Sequence, residues 1–204
     1  MRKAIGFYWT LPVTWAGFQD IGTNAEQAAR ESRTIALQRE VVRRWTKAHG
    51  FALVEEHALI EAAPDRGTDK AVLQARALVE KAAALNASIL LVDFGSALQQ
   101  RTHLKLSQFI GAHADRFELI WPDPDHEEAF RQHFATWRDA QRKWTDGKQT
   151  RIALARVRAA QLKAAGHTLE AIAWQLQTEN LRSPTGRPWT ADMLRKVLKS
   201  QPEP

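Results

Sequence analysis

Apolar and aromatic residues in the first part of the chain gather in short continuous runs. Lys3 to Leu11 is such a run, ended by Pro12. Phe51 to Ile60, Ser88 to Phe94 and Phe117 to Trp121 are similar, the last closed by Pro122. Runs of this length, rich in β-branched and aromatic residues and bounded by turn formers, predict buried strands. Between them the apolar spacing changes to three and four residues. Ala25 to His49 carries Ile35, Val42 and Trp45 on one side and stops at Gly50; Lys70 to Leu85 carries Val72, Leu73, Leu78 and Val79; Thr102 to His113 carries Leu104, Leu106, Phe109 and Ile110. These segments predict helices. Strands alternating with helices predict an α/β domain with a mostly parallel sheet.

From Asp125 onward the strand pattern stops. Asp125 and Glu128 have capping-box spacing, and Phe130, Phe134, Trp137, Gln141 and Trp144 form a stripe with helical rhythm. A long amphipathic helix is expected, broken near Asp146-Gly147 and continuing through Ile152, Ala155, Ala159 and Leu162 to Gly166. Its stripe must be covered either by the α/β domain or by a second copy, and Phe130, Phe134, Trp137 and Trp144 are the candidate dimerisation residues. A compact helical unit follows. Thr168 caps a helix with Leu169, Ile172, Ala173 and Leu176 on one face, Asn180 to Pro188 is a turn, and Thr190 caps a second helix. Trp189 and Leu194 bracket that cap, Met193, Val197 and Leu198 form the inner face, and Asp192, Arg195, Lys196 and Lys199 lie opposite. Two short helices with a basic second one predict an all-α, helix-turn-helix-like module. The expected organisation is an α/β domain over 1–123, a connecting helix over 124–165 and the module over 166–204.

The composition of the 204 residues, 44% apolar with no cysteine, suits packed domains without disulfides or thiolate metal sites. No apolar run is long enough to span a bilayer, and Met1-Arg2-Lys3 followed by Ala4 to Leu11 is too short and aromatic for a signal peptide, so a cytoplasmic, nucleoid-associated protein is expected. The net charge of +6 is unevenly placed. Residues 148–199 hold ten Lys/Arg against three acids, 10 − 3 = +7, leaving the rest near neutral. A basic block at one end suggests a module for polyanions attached to a neutral domain.

Two stretches carry a family resemblance. Ser32-Arg33-Thr34-Ile35-Ala36-Leu37-Gln38-Arg39-Glu40, running on through Trp45 to His49-Gly50, resembles the first helix of the resolvase/invertase-type serine site-specific recombinases. Gly166 to Leu176 and Asn180 to Trp189 resemble the helical DNA-binding segment that follows the catalytic domain in larger members. With the strand and helix order, the resemblance covers nearly the whole chain. It implies a resolvase fold, duplex DNA as partner and a dimer. The chain departs from the family where the chemistry sits. Where the family's first strand ends in Tyr-x-Arg-x-Ser, Phe7-Tyr8-Trp9-Thr10-Leu11 places Trp9 at the arginine and Leu11 at the nucleophilic serine. Where it has Leu-Asp-Arg-Leu-x-Arg, Phe94-Gly95-Ser96-Ala97-Leu98-Gln99 loses the acid and both guanidiniums, with Gly95, Ser96 and Gln99 in their places. Lys70 stands near a further arginine position, and Gln38 matches a polar position of the family's site. Phosphodiester attack without metal needs an oxygen nucleophile and fixed cations around the transition state. The expectation is therefore a degenerate recombinase with no catalytic residues. Thr10, the neighbouring hydroxyl, belongs to the opposite face of the strand.

Other candidates carry weaker chemistry. Asp123, Asp125, His126, Glu127 and Glu128 read as cap and dipole residues rather than a metal site, Arg66, Gly67, Thr68 and Lys70 read as a polar loop, and no cofactor is expected. Trp9 and Trp15 are expected to fill the former catalytic pocket, whereas Trp174 lies off its helix's apolar face. For DNA contact the candidates are Arg182, Ser183, Thr185 and Arg187 in the turn and Thr190, Arg195, Lys196 and Lys199 on the second helix, with Arg187 and Arg195 for base edges. The function expected is a sequence-specific transcriptional regulator that binds DNA without cutting it. The alternatives are an accessory partner of an active recombinase and a divergent recombinase using Thr10.

Overall fold

A computed structural model describes residues 1–22, 24–62, 68–95 and 103–199. They form two compact units, one of Met1–Pro12 with Gln19–Trp137 and one of Val13–Phe18 with Arg138–Pro204. Both expected boundaries change. The long helix is divided between the units rather than forming its own region, and a six-residue stretch near the N-terminus belongs with the helical end. Nothing in the local pattern of Val13–Phe18 announces that long-range packing.

The first unit is α/β. Strands β1 (Arg2–Thr10), β2 (Phe51–Ile60), β3 (Ala87–Val92) and β4 (Phe117–Ile120) form a parallel sheet in the order β2-β1-β3-β4. The central β1 is buried from Ala4 to Thr10 on both faces, which is why it reads as a continuous apolar run. Five helices accompany the sheet: α1 (Ala25–Glu31), α2 (Arg33–His49), α3 (Asp69–Leu85), α4 (Leu104–Ala112) and the first part of α5 (Pro124–Asp146). The strand order sends the β1-to-β2 and β2-to-β3 crossovers in opposite directions, and right-handed crossovers then place α2 and α3 on opposite faces. α4 packs beside α3, while His133 of α5 bonds Thr34 of α2 at 3.0 Å.

Two helix boundaries differ from expectation. The single helix expected over Ala25 to His49 is broken at Ser32, which is extended (φ −129°, ψ 112°) and caps α2 through its hydroxyl. The expected cap at Asp125 is Asp123, whose carboxylate accepts from the His126 amide at 3.0 Å. The stops at Gly50 and Gly147 fall where the sequence places them. Phe130 and Phe134 are also corrected: both are buried in the core of their own unit and present nothing to a second copy.

The second unit holds the remainder of α5, then α6 (Lys148–Ala164), α7 (Leu169–Thr178) and α8 (Ala191–Lys199). The last three pack pairwise around Ala155, Ala159, Leu162, Ile172, Leu176 and Leu194. α6 ends in a Schellman motif at Gly166 (φ 88°), with His167 N–H bonded to Leu162 O and Gly166 N–H to Lys163 O. α7 ends the same way at Asn180 (φ 56°), with Leu181 N–H bonded to Leu176 O. No helix among the described residues is long and apolar enough to cross a membrane.

Candidate nucleic-acid interface

In an open parallel sheet, ligands lie beyond the carboxyl ends of the strands where the order reverses, here between β1 and β3. That crevice is filled by aromatic rings. Trp9 at the end of β1 lies 5.6 Å from Phe94, which stacks on Phe130 at 5.1 Å and on Phe134 at 6.1 Å. Trp9 is thus buried in this crevice, whereas Trp15 belongs to the second unit. Leu11 packs partly buried against the same core, and Thr10 is only 6% exposed. Gln38 has a structural task. The β1–β3 register ends at Phe7, and the Gln38 amide continues it by accepting from Trp9 N–H at 3.2 Å and donating to Trp9 O at 2.7 Å. Lys70 places its ammonium 2.7 Å from the Ile60 carbonyl at the end of β2. Gly95 follows an Asp93 turn, its N–H 2.9 Å from the carboxylate. Ser96, Gln99, Arg66 and Gly67 lie outside the described residues.

Beside the crevice sits a buried hydrogen-bonded pair that no sequence pattern links. Glu61 and His103 are buried, with Glu61 Oε1 2.6 Å from His103 Nε2. Glu61 Oε2 accepts from Thr68 Oγ1 at 2.5 Å and from Ala62 N–H at 3.0 Å. His103 Nδ1 accepts from Leu106 N–H at 3.1 Å, which leaves Nε2 as the proton-bearing nitrogen facing the carboxylate. Burial pushes the Glu61 carboxyl up, but the bonds from Thr68, His103 and Ala62 outweigh it and hold the group below its usual range. Thr68 and His103 cap α3 and α4, so the pair ties both helices to the end of β2. Its members are 42 residues apart, beyond the reach of any local pattern. The acids at the start of α5 are similarly engaged: Asp123 with His126 and Arg44, Glu127 and Glu128 with Arg131.

The helical unit carries the basic block, and its cations divide by environment. Arg156 Nε bonds the Val197 carbonyl at 3.2 Å, and Arg158 grips Glu179 at 2.6 Å through Nη2. The Arg158 and Gln175 bonds hold the Glu179 carboxyl down at about 2. Arg187, Lys196 and Lys199 are exposed and form no ion pair with another described residue; Arg195 is exposed and pairs with Asp192 one turn away. These four lie on α8 and the turn before it, while Leu194 and Trp189 are buried beneath. Thr185 is exposed, and Thr190 caps α8 by accepting from Met193 N–H at 3.2 Å.

Two expected DNA contacts are placed elsewhere. Ser183 is fully buried, its hydroxyl 3.2 Å from Thr185 Oγ1, because the turn folds inward to bond Gly186 N–H to Ser183 O. Arg182 is half-buried, with Nε on Asn180 Oδ1 at 3.3 Å. The connection between α7 and α8, residues 179–190, is also far longer than the roughly four-residue turn of a simple helix-turn-helix. Of the dimerisation candidates, Trp137 is half-buried, and Trp144 is engaged by Trp15 at 5.8 Å and by Arg151 at 3.5 Å. Trp174 is 67% exposed, as its position off the apolar face predicts. No family model, no curated protein and no solved structure matches this chain.

Proposed function

We propose that this chain binds double-stranded DNA through its helical unit and acts as a sequence-specific transcriptional regulator, on a resolvase-type scaffold without recombinase chemistry. The observation that carries the reading is the outer face of α8. Arg195, Lys196 and Lys199 stand in solvent on a helix anchored by buried Leu194 and preceded by exposed Arg187. A helix with its side chains is about 10–12 Å across, which suits a major groove about 12 Å wide. The Arg195–Asp192 pair is exposed and worth little, so Arg195 can exchange it for phosphate or a base edge at small cost. The crevice supports the absence of cutting. Its rings occupy the space where a scissile phosphate would need guanidiniums, and Leu11 offers no nucleophilic atom.

The test is binding to duplexes selected from a random library, followed by anisotropy over a range of salt. Lys196→Ala and Lys199→Ala are expected to weaken all duplexes alike, each reducing the salt slope by about one. Arg187→Ala is expected to cost about 1–3 kcal/mol on the selected duplex and little on random ones. Absence of an enriched sequence, or unchanged affinity after charge reversal at Arg195 and Lys196, overturns the assignment. A covalent protein–DNA adduct at Thr10 overturns the non-cutting part alone.

A further inference from the structure

The helical unit contains a second feature built from cations, lying apart from the outer face of α8. A pocket of about 290 Å³ is walled by Trp15, Trp144, Leu154 and Leu181, with Arg151 and Arg182 supplying its charge. The two indoles stack with centroids 5.8 Å apart and planes 26° from parallel. The Arg151 guanidinium lies over the Trp144 ring at 3.5 Å and reaches the Trp144 carbonyl through Nη2 at 2.5 Å. Its Nε is buried with no hydrogen-bond partner among the described residues. Neither Arg151 nor Arg182 pairs with a described carboxylate, whereas half-buried Arg39 and Arg158 do.

The surrounding backbone is shaped to hold these groups in place. Gly147, at the break between α5 and α6, leaves room for Arg151: a Cβ there would sit 2.8 Å from Nη1. Gly17 (φ 78°) does the same for Arg182, where a Cβ would sit 2.8 Å from Nη1. Gly186 (φ 76°) lets the turn before α8 press against Trp15, since a Cβ there would fall 2.1 Å from the Trp15 Cα. Three glycines thus bring two guanidiniums and two indoles around one cavity. Burying a cation without a counter-ion is costly, and burial holds the Arg151 guanidinium below its usual pKa. An arrangement that leaves both charges uncompensated is complementary to an anion. Flat indole walls and leucine side chains select a planar apolar body, and guanidinium forks match a carboxylate.

From this juxtaposition we infer that the pocket is a binding site for a small planar aromatic carboxylate of one or two rings. The volume lies at the lower limit for ligand sites, about 300 Å³, which excludes a dinucleotide-sized ligand. The inference does not depend on DNA binding, because the pocket residues are separate from the cations on α8.

The probes are indole-3-carboxylate and 1-naphthoate, with neutral indole as the control, titrated into the full chain by calorimetry and by following the indole N–H resonances of Trp15 and Trp144. One-to-one binding of a carboxylate at least tenfold tighter than indole is expected, with both indole resonances shifted. Arg151→Gln and Arg182→Gln are each expected to weaken it about tenfold or more with the helical content of the chain unchanged. If either variant unfolds, the wild-type resonances decide. No shift at Trp15 or Trp144 with millimolar carboxylate, equal affinity for neutral indole, or unaltered affinity in both folded arginine variants overturns the site.

Discussion

The hydroxyl of Tyr8 shows how one residue choice fixes several others. Tyr8 is fully buried in the central strand, and its Oη donates to Glu56 Oε1 at 2.9 Å. Glu56 also binds Arg39 at 2.9 Å and Arg43 at 2.7 Å. Two residues along the same strand face, Gly6 leaves the space that the ring fills, since a Cβ at Gly6 would sit 2.4 Å from Tyr8 Oη and 2.8 Å from Cζ. Gly6→Ala is expected to destabilise the chain by about 1–3 kcal/mol through overpacking, read as a lower urea midpoint. Tyr8→Phe is expected to cost about 1 kcal/mol, the net worth of the lost hydrogen bond. The double variant is expected to lose less than the sum, because Phe removes the nearer clash. Gln38 offers a parallel case. Gln38→Leu strips partners from the buried Trp9 N–H and carbonyl, and a loss of about 2–3 kcal/mol is expected by denaturant titration. The sequence marked Gln38 as a polar relic of a site; its bonds show a residue that completes the edge of a strand.

Among the elements, those with a local cause were legible and those with a distant cause were not. The four strands and the helices ending at Gly50, Gly147 and Gly166 follow from apolar runs and from backbone positions that stop a helix. The break at Ser32 was missed because the apolar rhythm runs through it; only the buried, extended serine reveals it. The Glu61–His103 pair and the stacking of Trp15 on Trp144 join residues too far apart for any periodicity to link. Asn180 is an intermediate case. Its place in a turn was legible, but its left-handed backbone and its bond to Arg182 were not. Asn180→Ala is expected to lower the melting temperature, at a cost of about 1 kcal/mol, because alanine tolerates positive φ poorly. Asn180→Gly is expected to retain the helix end. Circular dichroism melts of the two variants separate backbone strain from loss of the amide.

Across the molecule, acid stability sums the ionisations that folding has shifted, and their directions agree. Burial raises the Glu56 carboxyl, but the bonds from Arg39, Arg43 and Tyr8 prevail and bring it down to about 2. Glu61 and Asp123 are lowered as well, the latter by the His126 amide and ring. A carboxyl depressed by folding stabilises the native state above its unfolded value, about 4.3 for glutamate, and that contribution disappears as pH falls toward the folded value. His133 acts earlier in an acid titration. Burial and the charge of Arg33 lower its ring below the ordinary histidine value. Below about 6.5 the unfolded chain therefore binds a proton that the folded chain resists, and stability falls as pH drops through that window. Two acid-induced losses are thus expected, one starting near pH 6.5 and a larger one below about pH 4.5. His133→Asn should flatten the first while leaving the second. Glu56→Gln should reduce the second, since a neutral amide has no proton to gain, and should lower stability at pH 7 by about 2 kcal/mol by leaving half-buried Arg39 without its counter-ion. Urea unfolding midpoints of the three proteins from pH 3 to pH 8 measure both effects. A wild-type curve flat between pH 5 and pH 7 would show that the environment of His133 does not select its neutral form.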